Sequence, residues 1–228
     1  MNSALLQRYQ NVLQRIEDIR RQQDITRPVK LLAVSKTKPL ADIEALAEAG
    51  QVAFGENYVQ EALEKIARRP DLEWHFIGPI QSNKTKPIAE HFQWVHSVDR
   101  LKIAQRLSAQ RPPGLGKLQI LLEVNVSDED SKAGFRPQEV VAATEAIIDL
   151  PNLTLRGLMT IPAPSDSLPM QRQPFHQLQG LLDTLRDRFP TQANTLDTLS
   201  MGMSADLEAA ILEGSTLVRI GTDIFGAR

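Results

Sequence analysis

Cysteine is absent from the 228 residues, which excludes disulfides, thiolate metal sites and a cysteine nucleophile. Net charge is nearly absent as well. The 26 basic side chains stand against 28 acidic ones, leaving −2 at neutral pH, so the chain carries no electrostatic footprint for nucleic acid or an anionic membrane. No apolar stretch approaches the ~18–20 residues needed to span a bilayer. Arg8, Arg15, Glu17 and Asp18 interrupt any hydrophobic region near the start that could act as a signal peptide. Together these features predict a cytoplasmic protein. The four histidines (His75, His91, His96 and His176) show neither H-x-H nor H-E-x-x-H spacing, so no metal centre is expected. G-x-G-x-x-G, a Walker-type loop and a nucleophile elbow are all missing, which sets aside dinucleotides, nucleoside triphosphates and Ser-His-Asp chemistry.

What is present is ordinary for a globular protein: 42% hydrophobic and 24% charged residues. A chain of this length can withdraw roughly 70–75% of its unfolded surface from water, and no linker or low-complexity tract divides it, so one domain over 1–228 is expected. Within 1–24, Leu5, Tyr9, Val12, Ile16 and Ile19 fall on one helical stripe. A membrane-surface or partner helix is conceivable, but the polar face mixes charges of both signs, which favours a helix packed on the body of the domain.

From Val29 onward short apolar runs alternate with helical patterns. Strands are predicted at 29–34, 52–54, 73–77, 93–97, 118–126, 153–159, 196–200 and 216–220, with helices near 40–49, 57–68, 84–91, 99–110, 137–149, 170–188 and 204–213. Pro39 and Pro137 mark helix starts, and Gly50 and Gly214 mark helix ends. The proline-rich stretch 161–174 reads as one long loop after the sixth strand. Strand–helix alternation implies right-handed crossovers and a parallel sheet. Eight such units closing on themselves make a (β/α)8 TIM barrel, compact beside the usual ~250 residues; an open doubly wound sheet is the alternative.

In such barrels chemistry sits at the C-terminal ends of the strands, and the loops after strands seven and eight often hold phosphate. Here those loops carry Ser200, Met201, Gly202, Met203 and Ser204, then Gly221 and Thr222. Ser204 reads as the N-cap of the next helix with Asp206 in its first turn, so backbone amides and hydroxyls would meet an anion there. Ordinary helix capping would explain the same residues. Arg219 lies on the opposite face of its strand from Val218 and Ile220. A buried guanidinium needs an acceptor, either a neighbouring carboxylate such as Glu123 or a bound ligand. Lys36 follows the first strand at the same end of the barrel, where a lysine can form a Schiff base with an aldehyde or simply be solvated. Lys38 and Lys84 are eligible by type but lie further past their strands.

The segments AVSKTKP at 33–39, FGENYVQE at 54–61, WHFIGPIQSNK at 74–84, SVD at 97–99, EVNVSDEDSKAGF at 123–135, GLMTI at 157–161 and LSMGMSADLEAAILEGSTLVRIGTDIFG at 199–226 together resemble the pyridoxal phosphate homeostasis protein family. These are the single-domain relatives of the alanine racemase barrel. Ile80 stands where that family usually has leucine. The resemblance implies the racemase-like barrel of fold type III and bound pyridoxal 5′-phosphate (PLP). It implies that Lys36 carries the cofactor as a Schiff base. It places Ser200, Met201, Gly202, Ser204, Gly221 and Thr222 around the phosphate, Asn57 near the pyridine ring and Arg219 at the ring nitrogen.

Racemases of this class add a tyrosine base from a second domain. This chain ends at Arg228, directly after the eighth unit, and has only Tyr9 and Tyr58, so that base is expected to be missing. The expected function is therefore non-catalytic carriage and buffering of PLP, which influences vitamin B6 and amino-acid and keto-acid balance. The alternative is a small racemase-like enzyme. PLP-dependent apoenzymes or a regulatory protein are the expected partners, and a monomer is the expected state.

Overall fold

The computed structural model describes residues 3–127 and 132–226. Residues 128–131 of the motif at 123–135, and Arg228, lie outside the described residues. The eight strands are β1 (Lys30–Val34), β2 (Ala53–Glu56), β3 (Glu73–Phe76), β4 (Trp94–Val98), β5 (Leu118–Glu123), β6 (Leu153–Met159), β7 (Thr198–Ser200) and β8 (Leu217–Ile220). All pair in parallel in chain order, and β8 pairs β1 to close the barrel. The α-helices are α1 (Ser3–Gln22), α2 (Leu40–Glu48), α3 (Val59–Arg68), α4 (Thr85–His91), α5 (Leu101–Gln110), α6 (Val140–Ile147), α7 (Leu168–Arg188), α8 (Leu207–Leu212) and α9 (Thr222–Phe225). The expected (β/α)8 architecture holds, and the open sheet is ruled out by the β1–β8 ladder.

Strand alternation divides the core into two layers. Trp74, Phe76, Val95, Val218 and Ile220 belong to the main apolar cluster between barrel and helices. Trp94, Leu121 and Met159 form a separate small cluster on the inward faces, beside the buried polar side chains of His75, His96, Ser200 and Arg219. The barrel lumen is thus partly polar. Closure also depends on Gly157, which has φ +147° and passes so near β7 that an added Cβ would lie 1.9 Å from the Thr198 carbonyl oxygen. Only glycine fits there.

Helix α1 buries Leu5, Tyr9, Val12 and Ile16, the predicted stripe, and Ile19 packs half-buried beside them. It lies against α2, α8 and α9, with Arg8 Nε donating to Ile224 O at 2.8 Å. The chain leaves the helix at Asp24, whose φ is +51°.

Three local expectations need correction. Helix α8 starts at Leu207, not at 204, with Asp206 rather than Ser204 at the N-cap position; the Asp206 carboxylate turns back to accept from Met203 N at 2.7 Å, closing the preceding turn instead of capping the helix. The loop after β6 is shorter than 161–174, since α7 begins at Leu168 and accepts Pro169 in its first turn, where a missing N–H costs nothing. Strand β5 ends at Glu123, three residues early, with Val124 making an isolated bridge to Phe135. Among the described residues no helix is long and apolar enough to cross a membrane.

If α1 is part of the core, Ile16→Ala should lower unfolding free energy by about 2–4 kcal/mol, the range for truncating a buried isoleucine. Urea denaturation checks this; a helix reserved for a membrane or partner would leave the midpoint unchanged.

Candidate binding site at the C-terminal mouth of the barrel

Closure of β8 on β1 brings the two ends of the chain to one place. Leu32 and Ala33 pair with Arg219 and Ile220, so the turn after β1 meets the turn after β8. There a cavity of about 330 Å³ opens, lined by Lys36, Asn57, Ser204, Arg219, Gly221 and Thr222 among polar or small residues, and by Val34, Ile77, Ile161, Met203 and Ala205 among apolar ones. Six of the nine site residues expected from the sequence therefore share this cavity. Lys38 and Lys84 do not line it; Lys38 Nζ reaches Gly226 O at 3.4 Å instead.

Ser200, Met201 and Gly202 are not among the lining residues. Met201 is buried in the outer core. Gly202 has φ +99°, and a Cβ there would lie 2.5 Å from Ala210 Cβ, so glycine is needed for α8 to pack. Ser200 sits within the barrel, its Oγ accepting from Arg219 Nη1 at 2.7 Å and lying 2.8 Å from His96 Nδ1. Its hydroxyl is already engaged by protein.

The turn that carries Lys36 is held by a largely buried charge cluster that the sequence reading missed. Lys65 on α3 is nearly buried, and its ammonium donates to Glu56 Oε1 at 2.7 Å, Glu61 Oε1 at 2.6 Å and the Ser35 carbonyl at 2.8 Å. Ser35 Oγ donates to Glu56 Oε1 at 2.6 Å, and Thr37 N donates to Glu61 Oε1 at 2.6 Å. Both neighbours of Lys36 are thereby pinned. Thr37 is held at φ +62°, a region that a β-branched residue enters only under constraint. Burial raises the Glu56 carboxyl above its usual range, partly offset by Lys65.

Arg219 supplies the fixed cation of the site. It is buried, and it makes no ion pair with Glu123; its guanidinium donates to Ser200 Oγ and, at 3.0 Å, to Thr160 O. Burial pushes it down to about 10, opposed by the fields of Asp206 and Glu123, so it stays charged at neutral pH. Glu123 is raised to about 7, chiefly by burial and then by Asp99, with Arg219 pulling the other way. Asn57 Oδ1 is buried and has no hydrogen-bond partner, an acceptor left for something in the cavity.

This mouth, with one lysine and one buried arginine facing a small cavity, defines a class. Residues 10–228 match the family described as alanine racemase, N-terminal domain. The pyridoxal phosphate homeostasis protein of Pseudomonas aeruginosa is 61% identical over 88% of this chain and 85% of its own length. That of Pasteurella multocida is 52% identical over 98% of this chain and 96% of its own. The chain belongs to the pyridoxal phosphate homeostasis protein family. PipY of Synechococcus elongatus, solved with PLP bound, superposes with a TM-score of 0.80 at 36% identity, covering 92% of this chain and 100% of that one.

Two measurements probe the site's electrostatics. Lys65→Met strands Glu56 as an unpaired buried carboxylate and should cost about 3–5 kcal/mol in chemical denaturation. Glu123 binds its proton more tightly folded, at about 7, than the unfolded 4.5. Its contribution to stability is therefore complete below pH 4.5 and lost as pH rises through 7, an amount of about 3 kcal/mol. Glu123→Gln should match the parent near pH 4 and exceed it near pH 8 in urea midpoint; parallel pH profiles would contradict the assignment.

Proposed function

We propose that this protein binds pyridoxal 5′-phosphate covalently at Lys36 and carries and buffers it, without turning over a substrate of its own. The observation that carries the reading is the joining of Lys36, Arg219 and the unpartnered Asn57 Oδ1 on one cavity of about 330 Å³, a volume at the lower end of small-ligand sites. When bound, the cofactor supplies an electrophilic aldehyde and a ring that can accept electrons. Lys36 provides the amine for the aldehyde. Ser204 and Thr222, with Gly221 between strand and helix, provide hydroxyls and backbone for the phosphate. Ser200, Met201 and Gly202 support that loop from behind. Asn57 provides an acceptor beside the ring.

Arg219 is the group assigned to the ring nitrogen. Because it remains cationic, it disfavours a proton on that nitrogen and weakens the ring as an electron sink. The alternative, a racemase-like enzyme, draws on the family match, but neither tyrosine is placed to act as a second base. Tyr9 is buried with its hydroxyl 3.2 Å from Gln51 Oε1, Tyr58 is exposed at the start of α3, and neither lines the cavity. Among the described lining residues Lys36 is the one primary amine. A cytoplasmic, monomeric carrier that hands cofactor to apoenzymes or signals to a regulatory protein fits this site.

The purified protein loaded with PLP should show a visible band that borohydride bleaches, with the added mass on Lys36. Lys36→Ala should abolish the retained adduct. A retained adduct at another lysine, or saturable Lys36-dependent isotope exchange at Cα of alanine or serine, would overturn this reading.

A further inference from the structure

A line of short hydrogen bonds runs through the barrel lumen from the cavity to the opposite mouth. It starts at Arg219 Nη1, 2.7 Å from Ser200 Oγ. It continues from Ser200 Oγ to His96 Nδ1 at 2.8 Å, from His96 Nε2 to His75 Nδ1 at 2.8 Å, and from His75 Nε2 to Glu73 Oε1 at 2.8 Å. Both imidazoles are buried. Glu73, the first residue of β3, is 41% exposed and borders a separate cavity of about 390 Å³ at the N-terminal mouth.

The ends of this line determine its proton arrangement. An arginine can only donate, and an ionised carboxylate can only accept. Ser200 therefore accepts from Arg219 and gives its own proton to His96 Nδ1. His96 then carries its proton on Nε2 and donates to His75 Nδ1. His75 likewise carries its proton on Nε2 and donates to Glu73. Reversing either ring sets two lone pairs or two protons face to face at some joint. A second proton on either ring is opposed by burial, and for His96 also by the fields of His75 and Arg219. Lys30 on β1 adds its field at the His75 end, while Trp94 stacks on His75 at 5.3 Å and Arg156 covers the Trp94 ring. The His75 hydrogen bond in turn holds the Glu73 carboxyl below its usual range.

We propose that Glu73, His75 and His96 are positioning residues for the cofactor: a one-directional hydrogen-bonded chain, anchored at the far mouth, keeps Ser200 an acceptor and so orients the Arg219 guanidinium in the cavity. This rests on the reading that the cavity holds PLP. None of the three lines that cavity, so their influence is exerted through Arg219. The chain also explains why a strand-seven serine and two inward histidines are buried in a lumen that apolar residues could fill. Without Ser200 Arg219 would lose one of its two acceptors, and without the histidines the Ser200 hydroxyl would have no fixed acceptor for its own proton.

Nitrogen-15 spectra of the histidine rings in the cofactor-free protein test the chain directly. Both His75 and His96 should be Nε2–H tautomers that stay neutral through mildly acidic pH. An Nδ1–H ring at either position, or titration near the ordinary 6.5, overturns the proposal. The second arm compares Glu73→Ala with Glu73→Gln, loaded with PLP. Glu73→Ala should move the His96 resonances and shift the pH midpoint of the bound chromophore by about half a unit or more. Glu73→Gln, whose amide oxygen can still accept from His75, should restore most of both. A silent Glu73→Ala overturns the proposal. If the parent protein forms no borohydride-reducible adduct, the cofactor reading fails, and the tautomers of the cofactor-free protein still decide whether the chain exists.

Discussion

The ladder between the first and last strands is the constraint on which everything else rests. Lys30, Leu31, Leu32 and Ala33 pair with Leu217, Val218, Arg219 and Ile220. This ladder removes the two free edges of the sheet. It also sets the turn carrying Lys36 against the turn carrying Gly221 and Thr222. Neither turn has a partner of its own for a phosphorylated aldehyde. Opposed across the seam, they bring the Lys36 amine and the Gly221–Thr222 turn onto one cavity, which on the function proposed above receives the aldehyde on one side and the phosphate on the other.

Two buried polar systems back the two cations of the mouth. On the helix side of β2, Glu56, Glu61 and Lys65 grip the residues flanking Lys36. Inside the lumen, Ser200 and the Thr160 carbonyl grip Arg219. Charges taken out of water are costly unless their partners are in place, and such clusters add less to stability than equally well-packed apolar side chains would. Their value here lies in geometry. Each fixes a side chain or turn to one arrangement, and the strained φ of Thr37 shows how firmly one of them holds.

Most of the scaffold was legible because the strands of a parallel barrel are covered on both faces and read as compact apolar runs. Alternation alone set Arg219 on the opposite face of its strand from Val218 and Ile220. Applied with the same strictness, it would have paired His75 and His96 with it, since they interrupt Trp74–Phe76 and Val95–Ser97 in the same way. Depth was not legible. Ser200 pairs with Leu217, a layer below Arg219, and the stagger between strands that decides this cannot be read from either strand alone. The Glu56–Lys65 pair escaped because it joins a strand to the following helix at a spacing with no local periodicity. The start of α8 was misplaced because Ser204 and Asp206 both have capping chemistry, and the turn that Asp206 closes onto the Met203 amide takes up residues that the sequence alone reads as helix.

The helix α1 crosses the same seam from outside. Arg8 donates to the Ile224 carbonyl, and Arg15 donates to the carbonyl of Ser204 and pairs with Asp223 at 3.4 Å. A helix that precedes β1 thus docks on the turns that follow β7 and β8. A ribosome-bound chain holding β1 to β7 has every piece of the lysine turn and no Gly221–Thr222 turn to face it. The cavity therefore exists only once β8 has emerged and paired with β1: contacts between such distant segments form late and slowly, so on the proposed function a translation product stopped short of β8 would have nowhere to hold the vitamer.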